Sequence, residues 1–213
     1  MVDKICFIDD DDQFEIPLFL KIFGGDFDLI AGTSLEACRQ AIGRRADWMP
    51  GLFVLDMYFP SGLPDEKAME ELAAHPVELP KDRVEIRQAY MNLVAVKERF
   101  KAVLGAWKQG PQGGLQLAAE VHAAYPQVPI LFYSRKAVAE DVLRSMQQDG
   151  VVDVITKPTG RDDEDTLHLT LKMKGAIASR FHVALDPGIR PRMAEIRKAV
   201  GLIMEEVNFF NPA

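Results

Sequence analysis

Cysteine is scarce in this chain, with two residues in 213. Cys6 falls inside a short apolar run and Cys38 inside a helical pattern, which makes neither a disulfide framework nor a metal-binding spacing, so both read as buried free thiols. Also missing are an uninterrupted apolar stretch long enough to span a bilayer and, at the N-terminus, a basic segment leading into an apolar one. These absences predict a cytoplasmic protein that is not inserted in a membrane. Basic charge is in deficit: 25 Lys and Arg stand against 32 Asp and Glu, for a formal net charge of -7. Such a chain offers no overall electrostatic footprint for nucleic acid, and no helix-turn-helix pattern follows residue 180, so DNA is not expected as a partner. Arg190, Arg192, Arg197 and Lys198 cluster near the C-terminus and read as a solvated helix face. No G-x-G-x-x-G follows the first apolar run, which speaks against a nicotinamide dehydrogenase.

What is present is a 48% hydrophobic content, enough to bury a full core in one domain. Lys4 to Ile8 is a short apolar run closed by aspartates, and helical spacing of Phe14, Leu18, Leu20 and Phe23 follows until Gly24 and Gly25 stop it. Phe27 to Ala31 is a second strand candidate, after which Thr33 and Glu36 have the spacing of a capping box. Leu52 to Leu55 is a continuous apolar run of the kind that a strand buried on both faces needs, and it too ends in an aspartate, Asp56. From Gly113 the chain reads as helix, strand (VPILFYS), helix, strand (VVDVITKP). Strands alternating with helices predict an α/β fold, a parallel sheet covered on both faces.

Two stretches break the alternation. Residues 61–111 separate Pro60 from the helix at Gly113, far more than a strand-to-helix connection requires. They are expected to form an inserted helical hairpin, residues about 64–75 and 81–108, whose second arm carries Ile86, Tyr90, Leu93, Val94, Phe100, Val103, Leu104 and Trp107 on roughly one face. A helix of that length would reach about 40 Å, so its stripe is expected to pack on a partner surface, most simply a second copy. Folding back on the main domain is the alternative. Beyond residue 180, the DPGIRP turn and a helix near residues 192–207 form a C-terminal helical extension, residues 181–213. Residues 1–60 and 112–180 then make the main domain.

In a parallel sheet the carboxyl ends of the strands share one edge, and open sheets bind ligands there. At those ends stand Asp9 and Asp10 after the first strand, Asp56 after the third, Ser134 after the fourth and Lys157 after the fifth. Carboxylates hold hard cations, one of them can attack phosphorus, and a hydroxyl and an ammonium can bind phosphoryl oxygens. Each residue has a plainer role available: the aspartates and Ser134 as caps, Lys157 as a solvated charge. All of them falling on strand ends in this order is not what chance provides.

This pattern resembles the receiver domain of two-component response regulators, in which an acidic pair follows strand one, the phosphoacceptor Asp ends strand three, a Ser or Thr ends strand four and a Lys-Pro pair ends strand five. Here these are Asp9 and Asp10, Asp56, Ser134, and Lys157 with Pro158, and the resemblance covers residues 3 to about 60 and 112 to about 180. It implies a flavodoxin-like, doubly wound five-stranded sheet of order 2-1-3-4-5. It further implies Mg²⁺ held by Asp10, Asp56 and the backbone carbonyl of Tyr58, with Asp9 in support, and a cis Lys157-Pro158 bond. Asp11 and Asp12 would then serve the start of the first helix. The function implied is a phosphoacceptor that receives a phosphoryl group on Asp56 from a histidine kinase or phosphotransfer protein and signals through contacts with an output protein. Its own chemistry would be limited to phosphorylating and dephosphorylating Asp56, so it is not expected to be an enzyme in the wider sense. Two departures stand out: the long insertion, and Val154 where the family often has an aromatic residue that changes rotamer. The alternative function is a receiver-like scaffold acting in constitutive assembly without phosphorylation. An Asp-nucleophile phosphatase is disfavoured because Tyr58 stands where such enzymes carry a second acid.

Overall fold

The computed structural model describes residues 2–60, 63–75, 86–137 and 139–210. The main sheet is built from β1 (Lys4–Ile8), β2 (Asp28–Gly32), β3 (Leu52–Leu55), β6 (Ile130–Ser134) and β7 (Val151–Thr156). All neighbours are parallel and the order is β2-β1-β3-β6-β7, which within the sheet is the expected 2-1-3-4-5. The central strands have no polar face because both sides are covered. Ile5, Phe7, Leu52, Val54, Leu131 and Tyr133 enter one core with α1 (Glu15–Phe23) and α7 (Asp163–Leu185). The alternate residues Cys6, Ile8, Phe53, Leu55, Ile130 and Phe132 enter the other with α2 (Leu35–Gly43) and α5 (Pro111–Ala124). Cys6 and Cys38 are buried and free, as their spacing predicts.

Local start signals fell close to their expected places. Asp11 Oδ1 accepts from Gln13 N at 3.0 Å and Phe14 N at 2.8 Å, which satisfies backbone donors at the head of α1. Asp12 accepts from the Gln13 side chain instead. The cap of α2 is Ser34, whose Oγ accepts from Ala37 N at 3.1 Å. The expected Thr33–Glu36 box is therefore displaced by one residue, since Ser34 is the residue with extended backbone before the first turn.

The insertion leaves the domain through a neck that the sequence did not announce. β4 (Phe59–Pro60) and β5 (Gln109–Gly110) pair antiparallel, Phe59 with Gly110 and Pro60 with Gln109. Two helices stand beyond it, α3 (Glu66–Ala74) and α4 (Ile86–Ala106), tied at their bases by Asp65 N donating to Ala106 O at 2.7 Å. The second arm, expected to reach 108, ends at Ala106, and its first expected residues, from 81, lie outside the described residues. Where the neck rejoins the domain, Gly114 N donates to Met57 O at 3.1 Å, and a Cβ at Gly114 would stand 2.3 Å from that same oxygen. Gly114→Ala should therefore cost about 2 kcal/mol, as backbone cannot yield the way a side-chain tip can. Gly105→Ala, in α4 with nothing within 4 Å, should be neutral or stabilising by a few tenths of a kcal/mol. Urea titration of the two variants checks this; equal midpoints would refute the close approach.

At the C-terminus, α7 continues to Leu185, past the expected boundary at 181, and α8 (Ile189–Phe210) packs back across β7, α6 (Ala139–Met146) and α7. Met193 of α8 joins the first core. The basic cluster there is not simply a solvated face. Arg190 donates to Gln127 Oε1 at 2.7 Å and to the Pro126 carbonyl, and Arg197 to the Val151 carbonyl at 3.4 Å. These long side chains reach carbonyls in the loop before β6 and at the first residue of β7. Among the described residues no helix is long and apolar enough to cross a membrane.

Candidate functional site

The carboxyl edge of the sheet opens into a cleft of about 360 Å³ that Asp9, Asp10, Asp56, Tyr58, Ser134 and Lys157 all line. Every residue singled out at the strand ends thus comes to one place. Lys157 organises it. The ammonium is buried, its residue 4% exposed, and it contacts Asp9 Oδ2 at 2.5 Å, Asp56 Oδ1 at 3.2 Å and Glu15 Oε2 at 3.4 Å. Burial works against its charge, but Asp56, Asp9 and Glu15 together outweigh that cost and hold the ammonium above its ordinary value. The Lys157–Pro158 bond is trans: no cis peptide occurs among the described residues. This corrects the expected cis bond, and trans is the isomer preferred before proline by roughly 0.5–1 kcal/mol.

The carboxylates differ in their surroundings. Asp9 is buried, accepts from Asp11 N at 3.0 Å through its other oxygen, and is pushed up to about 6 by burial, with Lys157 pulling down and Asp56 pushing up. Asp56 sits at the cleft floor with both oxygens held, Oδ1 beside Lys157 and Oδ2 by the Tyr58 N–H at 2.8 Å. Asp10 is half-buried, and burial followed by the nearby Asp56 charge raises its carboxyl. That is the repulsion a bound cation relieves. Among the described residues no three or more His, Cys, Asp or Glu side chains converge as a metal-binding group. The expected set asks for fewer, two carboxylates and a carbonyl, and Asp9 is drawn away by Lys157. Such a set suits a hard cation that keeps several of its waters.

Ser134 is the outlier. Its residue is 1% exposed and its Oγ makes no hydrogen bond, in a fold where buried hydroxyls are nearly always partnered. The next residue, Arg135, reaches back to Glu15 at 2.6 Å and to the Pro158 carbonyl at 2.6 Å, pinning the loop after β6 to the one after β7. Lys136 then donates to Gln109 on β5, at the neck of the insertion.

Sequence reasoning missed Glu15, Arg135 and Asp141. Glu15 carried a signal, an acid in the first turn of an apolar helix on what becomes its buried face. Asp141 carried none. It is buried on α6 and accepts from the Tyr58 hydroxyl, while the Ser145 hydroxyl donates to the Asp141 carbonyl. Burial, then the Asp141 bond, keep the Tyr58 phenol well above its usual value and so protonated.

No family model matches the sequence, and no curated protein matches it. Several solved structures are similar. The BeF3-activated DrrB receiver domain shares 15% identity at a TM-score of 0.43, with 85% of this chain and 97% of that one covered. A CheY-like response regulator receiver domain protein from Methanospirillum hungatei JF-1 shares 12% at 0.39, covering 84% and 99%. The Mn(2+)-bound form of response regulator Rcp1 shares 14% at 0.42, covering 81% and 92%. These solved structures are response regulators or their receiver domains, and it is to that group that the chain is similar.

Proposed function

We propose that this chain is a phosphoacceptor switch that takes a phosphoryl group onto Asp56 from the phosphohistidine of a kinase or phosphotransfer protein and signals by changing a protein interface. The observation that carries the reading is Ser134 Oγ, a buried donor with no partner, lining the same cleft as Asp56 and Lys157. Leaving a hydroxyl so costs about 1–3 kcal/mol, and an incoming phosphoryl oxygen would be its acceptor. In the transfer, a carboxylate oxygen of Asp56 bonds to phosphorus as the P–N bond of the donor breaks, and the histidine nitrogen leaves with the bonding pair. Asp56 is pre-oriented for this by Tyr58 N–H and the Lys157 ammonium. Lys157 stays in place to face the added charge. Mg²⁺, held by Asp10, Asp56 and the Tyr58 carbonyl, would supply charge neutralisation at the phosphoryl oxygens. Chemistry on other substrates is not part of the reading. The test is intact-mass measurement after incubation with Mg²⁺ and acetyl phosphate; a chain that never gains phosphate acts instead as a scaffold.

Two connections support a route outward from the cleft. One runs from Ser134 through Lys136 to Gln109, so a shift of the loop after β6 acts on the neck of the insertion. The other runs through Tyr58, whose N–H holds Asp56 and whose hydroxyl holds Asp141 on α6. Val154 has no ring to swing on β7, so Tyr58 is the aromatic residue in position to report. Beryllium fluoride should change hydrogen exchange in peptides covering 101–111 and 139–146 of the parent chain. Tyr58→Phe should keep the first change, lose most of the second, and lower stability by about 1 kcal/mol. Unaltered α6 protection in the parent would sink the Tyr58 route.

A further inference from the structure

We infer that the exposed part of an apolar seam on α4 is a docking surface for a second copy of this chain. Along that helix Tyr90, Leu93, Lys97, Phe100, Leu104 and Trp107 alternate three and four residues apart, the spacing of a seam that packs helix against helix. Among the described residues the seam is covered only in part. Leu104 packs against the second core, and Phe100 and Leu104 line a second cleft of about 360 Å³ with Pro111 and Tyr58. Toward the tip, Tyr90 is 64% and Leu93 66% exposed, with Met91 and Val96 exposed beside them. The reason is length. α3 has 9 residues and α4 has 21, so at 1.5 Å per residue α3 spans about 13 Å of roughly 31 Å. Large apolar side chains left bare in a cluster mark an interaction surface.

Charge identifies the occupant. Residues 65–75 carry four acids, Asp65, Glu66, Glu70 and Glu71, against Lys67 alone. Residues 88–108 carry four bases, Lys97, Arg99, Lys101 and Lys108, against Glu98 alone. The hairpin therefore has one acidic arm and one basic arm, and an ion pair runs along each, Lys67–Glu71 at 4.0 Å and Lys101–Glu98 at 3.4 Å. A twofold interface requires a self-complementary patch. Two hairpins packed about such an axis put each acidic α3 beside the basic half of the partner copy's α4, and the two exposed seams against each other. Lys97, the one charge within the seam, then meets Glu70 and Glu71 of the second copy.

Sedimentation velocity on the full chain tests this. The parent should sediment at twice its 23.8 kDa, and Tyr90→Glu with Leu93→Glu should raise the dimer dissociation constant at least tenfold while leaving far-UV circular dichroism and phosphorylation of Asp56 unchanged. Glu70→Lys with Glu71→Lys should weaken the dimer alone, as should Lys97→Glu with Lys101→Glu. Mixed in equal amounts, these two charge variants should dimerise again, because acidic and basic arms meet only between unlike chains. A parent that stays monomeric at the highest concentration it reaches overturns the inference and leaves the seam to another protein. So does a dimer that survives the Tyr90 and Leu93 substitutions, or a charge-variant mixture that dimerises no better than its components.

Discussion

Asp56→Asn should gain no phosphoryl group from acetyl phosphate and Mg²⁺ under conditions in which the parent chain gains one, a loss of at least about a thousandfold in rate. The amide keeps the shape of the carboxylate but offers no anionic oxygen to phosphorus. It also keeps an oxygen for the Tyr58 N–H, now 2.8 Å from Asp56 Oδ2, so the loop is not released and the variant should fold. One negative charge disappears beside a buried ammonium that still has Asp9 and Glu15, so the ion cluster remains compensated. The parent's product, an acyl phosphate, should be cleaved by hydroxylamine. Asp10→Asn should retain the reaction but demand much more Mg²⁺, since it removes the charge of one of the two carboxylate ligands. An adduct on Asp56→Asn at the parent's yield would place the phosphoacceptor elsewhere.

The second large effect is on stability. Lys157→Met removes the cation that Asp9, Asp56 and Glu15 share at a point where all four residues are buried. Breaking a buried ionic group from one side strands the rest, at about 3 kcal/mol or more. The loss should depend on pH in a defined direction. Asp9 already stands at about 6 in the folded parent, above the roughly 3.9 of an unfolded aspartate. A folded value that is raised means stability present below the unfolded value and lost as pH rises through the folded one. Without Lys157, which pulls Asp9 down, that window moves upward. Urea titrations with a chelator present should therefore find the variant far weaker than the parent at pH 8 and closer to it at pH 5. A difference that does not change with pH would mean that the carboxylates are not the groups left stranded.

The edge of the site was legible because each strand is an apolar run closed by a polar residue, and a parallel sheet places all those ends together. Asp9, Asp10, Asp56, Ser134 and Lys157 could be read that way without knowing a single contact. Glu15 with Arg135 could not, since they are 120 residues apart and meet only once the sheet order is set. Tyr58 with Asp141 is the same case at a separation of 83. The β4–β5 neck was invisible for another reason: two residues are too few to show a period of two. The Thr33 box failed by one residue because two hydroxyls stand side by side, and backbone geometry chose between them. The arginines of α8 read as solvated because composition says nothing about which carbonyls a long side chain will find.

β7 is the last strand of the sheet, so one row of its backbone groups has no neighbouring strand. A bare row of that kind is a template on which another chain can add a strand, and then another. Here Arg180 donates to the Val154 carbonyl at 3.2 Å, Arg197 to the Val151 carbonyl at 3.4 Å, and α8 lies across the strand. Guanidinium groups on two of its carbonyls and a helix packed on it work against the addition of a strand there. The molecule can thus leave the carboxyl ends of its strands open to partners while the β7 edge, where contact could propagate into aggregates, is guarded.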